Sequence, residues 1–384
     1  MSVFPTQEFR DRLDRVQALI ELAGLDALLL STEPELRYFT GYLTRFWESP
    51  SRPWFLIVPA SGDPVAVIPS IGAALMGSTW IGDIRTWRSP QPGDEGVSLL
   101  ADTLSEIVGS DARIGVPDGP ETHLRMPLSD WAALQARLPQ ASFTGDDRII
   151  ERLRRVKSPA EIAIIRTACG IADRAFARVP EIAQAGVPLA EVFRRFQMLC
   201  LEEGADWVPY LAGASEQGGY ADVISPAKPD PLRTGDVLML DTGLVHNGYF
   251  CDFDRNFSVG RPSPAVQSAH SRLIAATQAA FDIAKPGATA AELFHAMDRI
   301  VTGGAGGSDA GRLGHGLGMQ LTEWPSLIPQ DHTELEPGMV LTLEPGVEIA
   351  SNKIMVHEEN IVITQEGAKL LSSLSGTDIP ILEG

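Results

Sequence analysis

Four carboxylates and one imidazole stand in five separate phrases of this chain: Asp241 in VLMLDTG, Asp252 in GYFCDFDRNF, His315 in GHGLG, Glu344 in LEPG and Glu358 in VHEENIVIT. Hard oxygen donors with one imidazole suit two divalent metal ions such as Mn, Co, Fe or Zn. Without cations, carboxylates brought together repel one another and their pKa values rise. With two cations roughly 3.5–4 Å apart, the same donors frame a site in which a bridging water is acidified and a tetrahedral intermediate is clamped. The set makes the chain a candidate two-metal hydrolase.

Elements must bring these phrases together. Asn247-Gly248 is a strong two-residue hairpin signal. Such a turn pairs His246 with Tyr249 and places Asp241 opposite Asp254. Asp252, two residues before Asp254, then points to the same face. Asp241 and Asp252 become diagonal cross-strand neighbours, roughly 7–8 Å apart along the backbone. Asp254 shares that face, and a salt bridge to an arginine such as Arg255 or Arg233 is its expected role, with a direct metal role as the alternative. Gly314, Gly316 and Gly318 would let the backbone around His315 pass close to neighbouring chain.

Around this hairpin the chain divides in two. Helical spacing over 8–24, strands at 26–30, 54–58 and 64–68, a helix over 97–108 and a strand at 113–116 predict an α/β domain over residues 1–151. Residues 152–384 form the second domain, with the basic run 152–157 as linker. Ser158, Pro159 and Glu161 read as N-cap, first helical residue and capping box. Helices are expected at 162–179, 189–203, 264–284 and 290–302. Strands are expected at 236–244, 249–258, 339–344 and 354–364, giving an α+β domain with a curved, largely antiparallel sheet.

Bulk properties narrow the partners. The chain has 384 residues, 44% hydrophobic and 21% charged, with a net charge of −19. That acidity argues against nucleic acid and anionic membrane. Cys169, Cys200 and Cys251 are dispersed and odd in number, which fits a reducing, cytoplasmic setting. Neither a signal-peptide pattern nor a membrane-length apolar run is expected.

Taken together, the five phrases resemble the M24 metallopeptidases with the pita-bread fold, a group that includes prolidase, aminopeptidase P and the non-peptidase creatinase. GLDALLLSTEPELRYFTGY is similar to a creatinase-type N-terminal domain, and RRVKSPAEIAIIRTA to the start of the catalytic domain. The intervals Asp241 to Asp252, His315 to Glu344 and Glu344 to Glu358 are 11, 29 and 14 residues, similar to short prolidases. The resemblance implies that Asp241 chelates one metal, that Asp252 and Glu358 bridge both, and that His315 and Glu344 complete the other site. It implies Glu344 as general base, a homodimer, manganese among the candidate metals, and Xaa-Pro dipeptidase activity as the default expectation.

The resemblance departs at three places. Proline-specific members carry histidines where this chain has Ile224 and Thr322, and usually an arginine where it has Val356. Losing such donors costs transition-state stabilisation. Substitute substrate-binding groups are Tyr210, Asp222, Thr322, Glu323, Trp324 and His357, with Tyr220 beside them. Core or structural roles compete for each: on a continuous strand His357 faces away from Glu358, and Trp324 and Trp207 serve packing as readily as a pocket. The aromatic, basic segment 42–54 is either a buried-aromatic loop or an arm towards a neighbouring subunit's site. The substrate is therefore a short peptide or another small molecule. The alternative to a peptidase is a non-peptidase relative: a small-molecule C–N hydrolase, or an enzyme resembling the dimethylsulfoniopropionate lyases.

Overall fold

Leu13, Val16 and Ile20 recur at helical spacing and bury one face of the helix Thr6–Leu22. In the same way Leu100 and Leu104 bury one face of Val97–Val108. The strands Ala27–Leu30, Phe55–Pro59 and Val65–Pro69 are near-continuous apolar runs, as expected of a sheet covered on both faces. The computed structural model describes residues 3–48, 52–304 and 311–384, and it divides into two units, Met1–Arg154 and Arg155–Gly384.

The first unit holds one six-stranded sheet. In spatial order its strands are Asp83–Trp87, Val65–Pro69, Phe55–Pro59, Ala27–Leu30, Arg113–Val116 and Ser142–Gly145. Pairing is parallel at both flanks and antiparallel between Ala27–Leu30, Phe55–Pro59 and Val65–Pro69. This is the expected α/β architecture, with additional helices at Glu33–Thr40 and Leu128–Arg137. The basic run at 152–157 is not simply a linker, because its first residues complete the helix Ile149–Arg155. In the segment 42–54, Trp54 is buried against Tyr42, Phe46 and Trp47, so the aromatic residues of this loop pack within their own unit. Residues 49–51 of that segment, and 305–307 of the glycine-rich tract, lie outside the described residues.

The second unit begins at the expected cap. Ser158 Oγ accepts from the Glu161 amide, Glu161 returns a bond to the Ser158 amide, and Pro159 opens the helix Pro159–Ala177. Helices Leu189–Glu202, Pro264–Ile283 and Ala290–Val301 follow. One sheet runs Ile381–Leu382, Phe253–Val259, Asp236–His246, Trp207–Gln217, with Tyr249–Phe250 also paired to Asp236–His246. Another runs Glu323–Ser326, His315–Gly316, Val340–Leu343, Glu359–Thr364, Gly367–Leu370. Pairing is antiparallel except between Phe253–Val259 and Ile381–Leu382. Leu273, Leu293 and Met297 of the long helices pack with Met239, Leu341 and Ile361 of the sheets in one apolar core.

Two strands expected to be continuous are interrupted. The run at 249–258 breaks at Cys251-Asp252, and the run at 354–364 breaks at His357-Glu358. Each break falls on a carboxylate of the five.

Candidate metal centre

The hairpin has the expected register. His246 pairs with Tyr249 and Asp241 with Asp254, without a bulge between them. Asp252 sits in the break, where its backbone is held by a side chain instead of a strand. The Asp252 amide donates to Asn360 Oδ1 at 3.0 Å, and Asn360 Nδ2 donates to the Asp252 carbonyl. Cys169 Sγ also donates to Asn360 Oδ1, at 3.3 Å.

His315 is placed by close backbone approach. A Cβ on Gly316 would lie 1.9 Å from the Trp324 carbonyl oxygen, so that position excludes a side chain. The His315 amide donates to Thr342 Oγ1, and its Nδ1 donates to the Gly316 carbonyl at 2.8 Å. That bond fixes the tautomer and turns the Nε2 lone pair outward. Nε2 lies 3.4 Å from Asp252 Oδ2. Donor atoms of Asp252, His315 and Glu358 all fall within 4.8 Å of one another, and all three residues are buried.

Asp241 and Glu344 stand beside this trio. Tyr210 Oη donates to Asp241 Oδ2 at 2.8 Å, and Arg312 Nε lies 3.4 Å from Glu344 Oε1. Asp241 Oδ1 and Glu358 Oε1 are buried with no hydrogen-bond partner among the described residues. Buried carboxylate oxygens without a donor are costly, and a cation satisfies them. Burial, and then the charge of Asp252, pushes Asp241 up to about 8 against the Tyr210 hydrogen bond. Burial raises Asp252 well above the carboxylate range, with Arg312 opposing it. Glu358 is raised in the same way by burial, Asp252, Glu344 and Asp241. Glu344 is raised by burial, which outweighs His315 and Arg312. These residues therefore fit divalent cations: orphaned oxygens, an oriented imidazole and carboxylates in mutual repulsion.

The remaining sequence-derived positions separate. Tyr210 is at the site through Asp241. Thr322 Oγ1 accepts from Arg312 at 3.2 Å. Glu323 is committed elsewhere: it pairs with buried Lys157 at 3.0 Å and accepts from the Met319 and Gln320 amides. Trp324 is buried and supplies the carbonyl against which Gly316 packs. Asp222 caps its own turn, accepting from the Ile224 and Ser225 amides and the Ser225 hydroxyl. It lines a small cavity of about 50 Å³ to which none of the five contributes. Ile224 is 79% exposed.

His357 is buried in the strand break rather than on a strand. Its Nδ1 is 3.9 Å from Asp254 and its Nε2 is 3.3 Å from Glu359 Oε1. Burial lowers its pKa. Tyr220 lies behind Asp254, its hydroxyl donating to Asn256 Oδ1 and accepting from the Val356 amide. Asp254 does not form the expected arginine pair. Arg255 donates to the Asp254 carbonyl and pairs through its guanidinium with Glu359, while Asn256 Nδ2 donates to the Asp254 carboxylate. Arg312 and Asn360 went unnoticed in the sequence, although Arg312 is three residues from His315 and Asn360 two from Glu358.

Comparison with known proteins places the chain in a family. The model of metallopeptidase family M24 matches residues 163–366, and that of the creatinase/prolidase N-terminal domain matches residues 12–156. The chain belongs to metallopeptidase family M24. As a member of M24 it is a metallohydrolase with a creatinase-type N-terminal domain and a pita-bread catalytic domain. It is 29% identical over 378 residues to the probable dipeptidase PepE of Mycobacterium bovis, covering 95% of this chain and 94% of that protein. It is 27% identical over 361 residues to the Xaa-Pro dipeptidase of Lactobacillus delbrueckii subsp. lactis, covering 93% of this chain and 95% of that protein. The crystal structure of dipeptidase PepE from Mycobacterium ulcerans superposes with a TM-score of 0.85 at 28% identity, covering 99% of this chain and all of that one. No helix among the described residues is long and apolar enough to cross a membrane.

Proposed function

We propose that this M24 member is a dipeptidase whose five donors, Asp241, Asp252, His315, Glu344 and Glu358, hold two divalent cations, with Mn, Co, Fe and Zn as candidates. The observation that carries the reading is the buried Asp252–His315–Glu358 cluster, flanked by the orphaned oxygens of Asp241 and Glu358. The cations, when bound, would polarise the scissile carbonyl and acidify water beside it. Glu344 is the general base: it takes the proton from the attacking water and delivers it to the leaving nitrogen. Its side chain is 25% exposed, which gives it access to substrate. Tyr210 holds Asp241 in place, and the Nδ1 bond to the Gly316 carbonyl holds His315.

Xaa-Pro dipeptides are the default substrates, on the names of the relatives. One observation favours a second reading, a non-peptidase C–N hydrolase or lyase. Thr322 is engaged by Arg312, Ile224 is exposed, and the Val356 amide and carbonyl are tied to Tyr220 and Asn256. None of these three positions supplies an imidazole or guanidinium. The experiment is metal analysis followed by a panel of Xaa-Pro and other dipeptides with a metabolite screen. Cleavage of dipeptides supports the first reading. Full metal loading with turnover of a non-peptide alone replaces it with the second.

A further inference from the structure

A cavity of about 390 Å³ opens in the first unit, beyond the carboxyl ends of the strands Arg113–Val116 and Ser142–Gly145. These two strands are parallel, and Arg113–Val116 is also parallel to Ala27–Leu30. In open α/β sheets ligands bind at that end of the strands, where the outgoing loops converge. The loop after Arg113–Val116 is tied across the sheet: the Arg125 amide donates at 2.9 Å to Ser31 Oγ, the residue that follows Ala27–Leu30. Left-handed backbone gathers in the loops after the two strands. Glu121 has a φ of 59°, and Asp147 and Arg148 have φ of 54° and 57°; they are three of the five non-glycine residues with positive φ among the described residues. Such conformations are costly for long side chains and cluster at ligand sites.

The lining sets the chemistry of what can enter. Leu124, Trp131 and Phe143 are half-buried and pack on the core of this unit, with the two rings edge to face at 5.0 Å between centroids. Asp118 supplies the charge. A Cβ on Gly145 would lie 2.5 Å from Asp118 Oδ2, so the glycine is what lets the carboxylate lie across the end of the strand. Asp118 is exposed and forms no hydrogen bond or ion pair with the described residues. Its charge is felt at Asp146, which burial raises and Asp118 raises further, against the amides of Ile150 and Arg148. No lysine or arginine lines the cavity, and His123 is the only basic side chain among the lining residues. Ring faces attract positive charge, and a carboxylate without a partner accepts N–H groups and repels anions. The volume is in the range of small-molecule sites.

We infer that the first unit carries a binding site for a small organic cation, a protonated amine on an aromatic body, with the ammonium at Asp118 and the body against Trp131, Phe143 and Leu124. No residue of the metal centre takes part in it, so the site stands or falls apart from the peptidase reading.

The test uses the full-length protein loaded with Zn, so that the acidic cluster of the metal centre is not left open to the probe. 2-Phenylethylammonium, 2-phenylethanol and 3-phenylpropanoate share one body and differ in charge, and ligand-observed NMR titration gives their dissociation constants. The ammonium should bind at about 0.1–1 mM, and the alcohol and the carboxylate at least about tenfold more weakly, the difference expected of one charge-assisted bond. Asp118→Asn should weaken the ammonium by about tenfold and leave the alcohol unchanged. Trp131→Ala should also weaken the ammonium by about tenfold, through loss of the ring face. Trp131 packs on the core, so circular dichroism accompanies that variant, and the exposed Asp118 keeps the charge test available if it misfolds. Equal affinity for ammonium and alcohol, tighter binding of the carboxylate, or no ammonium binding up to about 10 mM overturns the site. Ammonium binding that Asp118→Asn, or a folded Trp131→Ala, leaves at the wild-type value overturns it as well.

Discussion

At the scale of single residues, Glu344 and Asp252 let the proposed chemistry and the proposed cation binding be tested apart. Glu344 reaches solvent and touches Arg312, whereas Asp252 is buried against His315 and Asn360. Glu344→Gln keeps the shape and removes the proposed base, so turnover should fall by about 10²–10⁴-fold with the fold intact. Steady-state kinetics beside circular dichroism checks this, and near-normal turnover would exclude the residue as base. Asp252→Asn should weaken cation binding by more than about 100-fold, since even the outer partners of metal ligands cost 10–100-fold. Metal analysis after dialysis reads it, and full occupancy would contradict the assignment. The residues that cluster here were legible in sequence as candidates because acids at the ends of apolar strands, and a histidine between glycines, have few structural uses in combination. Arg312 was not, because an isolated arginine in a loop reads as solvated and its partners Glu344 and Thr322 meet it only in three dimensions. Glu323 misled for the opposite reason: its acidity serves a buried pair with Lys157 that spacing does not reveal.

The elements that carry these residues are discontinuous where the chemistry is. The Asn247-Gly248 turn makes the hairpin register readable, since a two-residue loop fixes every later pair. The breaks at Cys251-Asp252 and His357-Glu358 are not readable, because neither segment carries a glycine or proline to interrupt a strand. The edge strand Ser142–Gly145 and the short helix Glu33–Thr40 also escaped notice: the first lacks a buried apolar run, and the second is eight residues long. Where the ladder stops at Asp252, the Asn360 amide supplies both bonds that a neighbouring strand would have made. Asn360→Ala should therefore cost about 1–3 kcal/mol of stability, by leaving buried backbone groups unpaired. It should also lower cation affinity by about tenfold while all five donors remain, as loss of an orienting partner does. Denaturant unfolding and cation titration measure the two effects, and an affinity equal to wild type would show that Asp252 is positioned without the clamp.

Across the whole molecule, protons and cations would compete for the proposed metal centre, and the sign of that exchange fixes how stability depends on pH. In the cation-free protein, burial and mutual repulsion raise Asp241 to about 8 and hold Asp252 and Glu358 well above the carboxylate range, with Glu344 also raised. The unfolded chain releases the same protons near pH 4, at ordinary carboxylate values. Above that pH the folded state binds more protons than the unfolded state, so stability falls as pH rises through about 8, where Asp241 ionises. In the proposed site, divalent cations would replace those protons and bind only the folded arrangement. At about 100 times the dissociation constant they contribute about 2.7 kcal/mol, and they compete with protons less as pH rises. Chelated protein should accordingly melt at a lower temperature at pH 8 than at pH 5, and Mn should raise the melting temperature more at pH 8 than at pH 5. Calorimetric scans of chelated and Mn-loaded protein across that range decide it. A chelated melting temperature that rises from pH 5 to 8, or an Mn effect larger at pH 5, would mean that the four carboxylates are not the proton-binding cluster that the buried geometry describes.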